Sequence, residues 1–221
     1  MTRLGTTHRG ARRSGAGRAG LLAAAGLGVA LAAAGCAAGP AADSPFVVAP
    51  LSDSVPSGFG SLRQDEVSVT LVEGDVQLRI TPLAPSVLRL TAPDTERRLG
   101  AALERAGGLR PGSILLFVQA YTEAPAAPFE PKDLRIEVRG RLLPFSAQTP
   151  IDAEWGTGQL RQRRPSSAVY RFDGEVRWLE EPVRFTYRSA ASDAWSSLLP
   201  TLDLELARVR ARARGGRQLV R

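Results

Sequence analysis

The chain has 221 residues, with 29 Lys and Arg against 22 Asp and Glu, and its formal net charge is +7. Its single Cys excludes an internal disulfide, a cysteine-rich zinc site and a Cys-x-x-Cys redox pair. Roughly two hundred residues suffice for one domain of sandwich or barrel size with an appendage.

The N-terminal residues have the layout of an export signal. Five arginines and no acid precede residue 21, and an apolar run of 15 residues then ends before Cys36. A membrane span takes about 20 apolar residues, so this run is too short to cross a bilayer comfortably. We therefore predict that residues 1–35 are a signal peptide. A twin-arginine signal at Arg12-Arg13 is an alternative, although no apolar residue follows where that signal has one.

The end of the apolar run, Ala33-Ala34-Gly35-Cys36, resembles the lipobox of bacterial lipoproteins, with Ala33 where that family usually has Leu. The resemblance implies that Cys36 becomes the first mature residue and is acylated through its sulfur and its amine, which anchors it stably. Ala37 replaces the Asp that retains such lipoproteins at the inner membrane. This implies the outer membrane, facing the periplasm, in a host with two membranes. The alternative is an ordinary secretory cleavage that leaves Cys36 free.

The chain after the leader lacks the residue types of most catalytic centres. Its only His is His8 and its only Met is Met1. This excludes a Ser-His-Asp triad, a Cys-His pair, histidine metal ligands and a haem histidine. We therefore expect no enzyme activity, no cofactor and no metal site. The weakest alternative is a carboxylate-based hydrolase, which needs two acids facing each other across a cleft. Adjacent acids such as Glu180-Glu181 are more typical of solvated loop ends, because neighbours on a strand point to opposite faces.

The composition divides the mature chain into four parts. Residues 36–62 are rich in Pro, Ser, Gly and Ala, which is typical of a flexible tether between a lipid and a domain. We predict a β domain over 63–190, a C-terminal helix over 191–214 and a basic tail over 215–221.

A period-two pattern begins at Glu66 and predicts a hairpin. Apolar residues alternate with polar ones on both sides of Glu73-Gly74. A two-residue loop at 73–74 pairs Leu71 with Val76 and places both apolar faces on one side.

A short strand at 87–91 is predicted to precede one inserted helix over about 94–107. Asp94 is the predicted N-cap, and Gly107-Gly108 ends the helix. Gly100 in its middle costs about 1 kcal/mol relative to Ala. The apolar stripe of this helix comprises Leu99, Ala102, Leu103 and Ala106.

The most hydrophobic run after the leader is Ile114–Val118, which predicts a strand buried on both faces at the centre of a sheet. Apolar and polar residues alternate over 134–138 and 183–187, which predicts strands with one face exposed to solvent. Residues 146–166 are predicted to be irregular, and their Trp155 is interpreted as a core residue or as an exposed residue of a binding loop.

A second hairpin is predicted around Asp173-Gly174. A three-residue loop over 173–175 pairs Phe172 with Val176 and Tyr170 with Trp178, which keeps the apolar side chains on one face.

These patterns predict eight or nine short strands, and strands and helices do not alternate as they do in βαβ units. The predicted fold is mainly β, an antiparallel immunoglobulin-like β-sandwich with one inserted helix, and a closed barrel is the alternative. The Cys-Trp-Cys mark of immunoglobulin domains is absent, so the likeness concerns architecture. Residues 115–213 loosely resemble small exported bacterial lipoproteins of uncharacterised function, which implies no activity. The features that carry this resemblance are Phe129-x-Pro131-x-Asp133, Tyr170-x-Phe172 and the helix that begins near Trp195.

The last segment changes to a helical period and predicts a helix over about 192–214, capped by Ser192 or Asp193 and ended by Gly215-Gly216. Pro200 leaves open two helices that meet there. A strand remains an alternative, because leucines also alternate over 202–206. The helical stripe consists of Trp195, Leu199, Leu202, Leu206, Val209 and Ala213.

Arginines without an interleaved acid follow Leu206. One interpretation is a basic helix that contacts anionic lipid, an acidic polymer or a protein partner, and the other is a solvated terminus. Nucleic acid is not expected outside the cytoplasm, and the aromatic stacking platform is absent. The candidate contacts with an anionic surface are Arg208, Arg210, Arg212, Arg214 and Arg217.

The net charge of +7 is unevenly distributed. The leader carries +5, residues 206–221 carry +6 and the residues between them carry −4. The mature protein is therefore nearly neutral. We predict a lipid-anchored, non-catalytic protein of the cell envelope with a binding domain. The alternative is a structural envelope component that contacts anionic lipid or polymer through its C-terminal arginines.

Overall fold

The computed structural model describes residues 57–218, with side chains described as far as residue 215. This part of the chain is mainly β, with antiparallel sheets and a C-terminal helix. Single 3₁₀ turns lie at Gln64–Val67 and Pro131–Asp133. The strands are Val69–Glu73 (β1), Val76–Pro82 (β2), Ser113–Tyr121 (β3), Ala126–Pro128 (β4), Leu134–Val138 (β5), Arg141–Leu142 (β6), Phe145–Pro150 (β7), Gln159–Arg161 (β8), Ser166–Asp173 (β9), Val183–Tyr187 (β10) and Ala190–Ser192 (β11). The helices are Pro85–Leu88 (α1), Pro93–Arg105 (α2) and Ala194–Gln218 (α3).

Three sheets contain these strands. The largest has five strands in the order β1-β2-β3-β9-β7, the second has the order β11-β10-β5-β6, and β4 pairs with β8. Every strand pair in these sheets is antiparallel. Each of the two larger sheets ends in two edge strands, so neither closes on itself. The prediction of a mainly antiparallel β protein is confirmed.

Strand β3 lies at the centre of the five-stranded sheet, and residues 114–118 are all buried. Leu116 and Val118 face a large apolar cluster that also includes residues of the second sheet. Leu115 and Phe117 face the other way, toward a smaller cluster that includes Leu99 of α2. The prediction of a central strand buried on both faces is confirmed, because α2 covers one face and the main core covers the other.

Helix α3 contributes its apolar stripe to the same main core. Trp195 and Leu202 are completely buried, and the indole Nε1 of Trp195 donates a hydrogen bond of 3.1 Å to the carbonyl oxygen of Trp178. The two indole rings meet edge to face with centroids 5.2 Å apart, a favourable aromatic arrangement. The predicted C-terminal helix is therefore confirmed.

Pro200 lies inside α3 without ending it, so the two-helix and strand alternatives are wrong. Its ring is exposed to solvent, and the helix loses the hydrogen bond to the carbonyl of Ser196. The buried stripe outweighs that loss, since a fully buried Leu or Val side chain contributes about 1.5–3 kcal/mol. The helix also continues through Gly215-Gly216 to Gln218, so its predicted end is too early.

The first hairpin forms, but its predicted register is wrong. Leu71 pairs with Leu78, and the two-residue turn is Gly74-Asp75. A shift of two residues leaves the same side chains on the same face, so the apolar pattern cannot distinguish the two registers. Gly74 has a φ of 55° and takes the first turn position, where a type II′ turn requires Gly.

The second predicted hairpin does not form. Phe172 of β9 pairs with Ile114 of β3 and Phe145 of β7 rather than with Val176. Residues 174–182 instead form the loop that leads from the five-stranded sheet to β10 of the second sheet.

Three local predictions also need correction. Residues 87–91 are not a strand, because Pro85 takes the first helical position of α1. Helix α2 is capped by Ala92 rather than Asp94, since Pro93 begins it. The segment 146–166 contains strands β7 and β8. The core interpretation of Trp155 is confirmed by its burial.

Residues 58–62, the end of the predicted tether over 36–62, pack against the domain. The backbone N–H of Leu62 donates to the carbonyl of Leu90 at 3.1 Å, and its carbonyl accepts from Ala92 at 2.8 Å. Gly60 approaches so closely that an added Cβ would lie 2.3 Å from the Leu90 carbonyl carbon. The packed domain therefore begins before residue 63.

Two glycine substitutions test this packing. Gly60→Ala should lower the free energy of unfolding by about 1–3 kcal/mol, because the backbone at Leu90 must move. Gly100→Ala should raise it by about 1 kcal/mol, since the added Cβ meets no atom within 4 Å beyond its own stretch of helix backbone and Ala favours the helix. Urea denaturation measures both, and equal midpoints for the two variants would contradict the packing.

Candidate functional site

The proposed lipidation residue, Cys36, lies outside the described residues. Within residues 57–218, no helix has the length and apolar character needed to cross a membrane. In the same part of the chain, no group of three or more His, Cys, Asp or Glu is placed to hold a metal ion.

The structure divides the C-terminal arginines into two groups. Arg208 and Arg212 converge on Glu205, which is 1% exposed, with N···O distances of 3.8 Å and 3.0 Å. Arg210 is half-buried, Arg214 is exposed, and neither forms an ion pair within the described residues. The side chain of Arg217 lies outside that range. The predicted surface is therefore not a uniform row of free cations.

Glu205 also holds the start of the domain, and we call this arrangement the Glu205 clamp. The backbone N–H and the hydroxyl of Ser61 donate to Glu205 Oε1 at 2.9 Å and 2.7 Å. The guanidinium of Arg212 donates to the same carboxylate and to the carbonyl of Phe59. The clamp therefore joins α3 to a segment that lies 144 residues earlier in the chain.

The clamp determines the charge state of Glu205. Burial alone raises the pKa of a carboxyl, but hydrogen bonds from Ser61 and the charge of Arg212 hold the pKa of Glu205 below its usual value. Sequence reasoning missed this residue, since only its i,i+3 spacing to Arg208 and its position as the last acid of the chain are visible. The contact with Ser61 leaves no signal in the sequence.

A second feature is a groove formed by the loop that joins β9 to β10, and we call it the β9–β10 groove. It consists of two cavities of about 640 Å³ and 630 Å³ that share Gly174, Glu175 and Arg177. Such volumes lie in the range of ligand-binding clefts. The apolar half is named for its lining residues Ala84, Pro85, Leu109, Pro111, Ile114, Leu115, Val176 and Trp178, which stand beside the polar Ser86, Arg110 and Ser113.

The charged half of the groove is organised by Glu181, which is 6% exposed. Its Oε1 accepts from Arg177 Nε at 2.6 Å and from the guanidinium of Arg139. These two arginines outweigh the effect of burial, so the pKa of Glu181 lies below its usual value. The expectation that Glu180-Glu181 is merely solvated is wrong for Glu181. The turn in which the N–H of Glu181 donates to the carbonyl of Arg177 brings the pair together.

Arg139 reaches Glu181 from an unfavourable backbone conformation. Its φ is 52° and that of Gly140 is 73°, as in a two-residue type I′ turn between β5 and β6. A left-handed conformation costs a residue other than Gly about 1–2 kcal/mol. The ion pair with the buried carboxylate compensates for part of this cost.

No known protein family matches the chain, and no curated protein sequence does so.

The Glu205 clamp should have a pH-dependent effect on stability. We expect Glu205→Gln to lower the free energy of unfolding at pH 7 by about 1.5–3 kcal/mol, the contribution of a hydrogen bond to a charged group. Because the folded pKa of Glu205 is depressed, its stabilisation is complete above the unfolded pKa of about 4.3 and is lost as pH falls through the folded value. Urea denaturation at several pH values should show the difference closing in acid. Exposed Glu104→Gln is the control, and a difference independent of pH argues against the clamp.

Two arginines with a left-handed backbone conformation, Arg139 and Arg163, allow a matched test of the Glu181 ion pair. Arg139→Gly relieves the backbone but removes a cation from a buried carboxylate, so we expect a net loss of about 1 kcal/mol. Arg163 has a φ of 57° and pairs with Glu123 at 3.2 Å, with both side chains more than half exposed. Arg163→Gly should therefore leave stability unchanged or raise it, because an exposed pair contributes about 0–1 kcal/mol. Equal losses in urea denaturation would show that Glu181 gives Arg139 no special role.

Proposed function

We propose that the chain is an exported lipoprotein anchored through acylated Cys36, whose β domain binds a partner in the cell envelope without catalysing a reaction. The observation that carries this proposal is the basic, then apolar, leader that ends in Ala33-Ala34-Gly35-Cys36. Twenty residues, 37–56, separate that cysteine from the first described residue. A fully extended chain of this length reaches about 70 Å, enough to hold the domain clear of a bilayer. In a host with two membranes, we place the anchor in the outer membrane, facing the periplasm.

We further propose that the two larger sheets are the layers of an immunoglobulin-like β-sandwich. Support comes from the single apolar cluster to which both sheets contribute, with Ile80, Leu116 and Tyr170 from one sheet and Ile136 and Phe185 from the other. The likeness concerns the layers only. The larger sheet begins with three consecutive strands, whereas immunoglobulin sheets have the orders ABED and CFG.

The β9–β10 groove is the binding site that we propose within the domain. It combines an apolar half with a charged half, which is the usual make-up of a recognition cleft. The lowered pKa of Glu181 suits a carboxylate that orients two guanidinium groups. A general acid at neutral pH needs a raised pKa, so Glu181 does not supply the protonated acid of the hydrolase alternative.

Mass spectrometry of the mature N-terminus tests the anchor. We expect a chain that begins at Cys36 and carries acyl groups, and we expect Cys36→Ala to abolish both the modification and the membrane attachment. An unmodified Cys36, or a mature chain that begins elsewhere, would contradict the anchor.

Site-specific crosslinking tests the groove. A photo-crosslinking residue at Leu109, which lines the groove and is 38% exposed, should capture a defined envelope partner in living cells. The matched control is Val72 on β1, which is 60% exposed and lies outside the groove. Val176→Glu, inside the groove, should abolish the crosslink at Leu109. Equal products from both positions, or a product unaffected by Val176→Glu, would argue against a groove partner.

A further inference from the structure

The outward side of α3 has an unusual composition between residues 204 and 214. Leu204 is 53% exposed, and Ala207 and Ala211 are also exposed on successive turns of the same side. Helical periodicity places Arg208 on one flank of this apolar strip, and Arg210 and Arg214 on the other. We call these six residues the basic face. An apolar centre with arginines on both flanks is the arrangement of helices that lie on a membrane surface, with the charged ends reaching toward headgroups.

The basic face itself contains no acid, and the exposed Asp203 that immediately precedes Leu204 offsets one of its three arginines. From Leu204 to the C-terminus the sequence has six arginines and one acid, Glu205. That acid is 1% exposed and already faces Arg208 and Arg212 in the Glu205 clamp. Arg210 and Arg214 have no ion pair within the described residues, and Arg217 and Arg221 follow in the sequence. The exposed charge at this end of α3 is therefore positive, which complements an anionic surface.

The clamp brings the start of the domain to this same part of α3. Phe59 and Ser61 bind Arg212 and Glu205, and the chain before them leads back to Cys36. The tether therefore reaches the domain beside the basic face, although the two lie far apart in sequence. An anchor at Cys36 would hold this face within reach of the bilayer and would raise its effective concentration there. This proximity favours lipid over a distant acidic partner.

We propose that the basic face of α3 binds an anionic phospholipid surface and lays this end of the domain on the membrane that carries the anchor. The orientation rests on the proposed lipid anchor, whereas binding of the face to lipid does not. Flank arginines contact the headgroup phosphates, and Leu204 enters the interface between headgroups and acyl chains. The contact is electrostatic for the most part, so added salt weakens it.

Vesicle flotation of the unlipidated chain tests the proposal. Residues 36–221 with Cys36→Ser are mixed with one of two kinds of vesicle. The first contains phosphatidylcholine alone, and the second contains phosphatidylcholine and phosphatidylglycerol in equal amounts. We expect binding to the anionic vesicles only, and weaker binding as salt rises. Each arginine near an anionic surface contributes roughly fivefold to the affinity, so Arg210→Gln with Arg214→Gln should weaken binding by about 25-fold. Leu204→Ser should weaken it further, without changing the preference for anionic lipid.

The matched control removes the same charge elsewhere on the domain. Arg105 and Arg161 are exposed on α2 and β8 and have no ion pair among the described residues, so Arg105→Gln with Arg161→Gln should leave binding nearly unchanged. Equal binding to both vesicle types, equal loss in both double variants, or no binding at all would overturn the proposal. Because no acyl group is present, these outcomes are independent of the mass spectrometry that tests the anchor.

Discussion

Strand β3 is apolar on both faces, and the rest of the domain is arranged to cover it. Leu116 and Val118 require the second sheet and α3 on one side, and Leu115 and Phe117 require α2 on the other. On the main-core side the buried row continues to Ala120, which is completely buried. Beyond Val118 the strand presents Gln119, whose amide oxygen accepts from Gln64 at 3.0 Å. A strand buried on both faces thus requires a helix on the face that the second sheet leaves open.

The sequence was sufficient to predict the elements whose apolar pattern favours one type of secondary structure. The central strand at 114–118, the inserted helix and the Trp195 stripe belong to this group, since each pattern runs through several residues. Pairing partners were harder to predict. The predicted loop at 73–74 is wrong because a shift of two residues keeps the same side chains buried. The predicted hairpin with a loop over 173–175 is wrong because β9 pairs with strands that are distant in sequence. Local alternation shows which face of a strand is buried, but not what covers it.

The charged sites were less predictable than the fold. Glu181 and Glu205 look like ordinary surface acids in the sequence. Their arginine partners Arg177, Arg208 and Arg212 are local, whereas Arg139 and Ser61 reach them only through tertiary contacts. The chain has a single Lys among its 29 basic residues. Arginine suits this use, because its planar guanidinium stays charged and donates several hydrogen bonds at once. The high arginine content is compatible with arginine pairs around buried carboxylates, but it does not identify the carboxylates.

Helix α3 connects the features that bear on function. Trp195 packs on Trp178, which lines the β9–β10 groove, and Glu205 holds Ser61 at the start of the domain. Ten helical residues separate these two contacts, about 15 Å along the axis. Since the helix is continuous through Pro200, its two contacts cannot move independently without breaking the buried stripe. A membrane contact at the basic face would therefore fix the position of the groove relative to the bilayer.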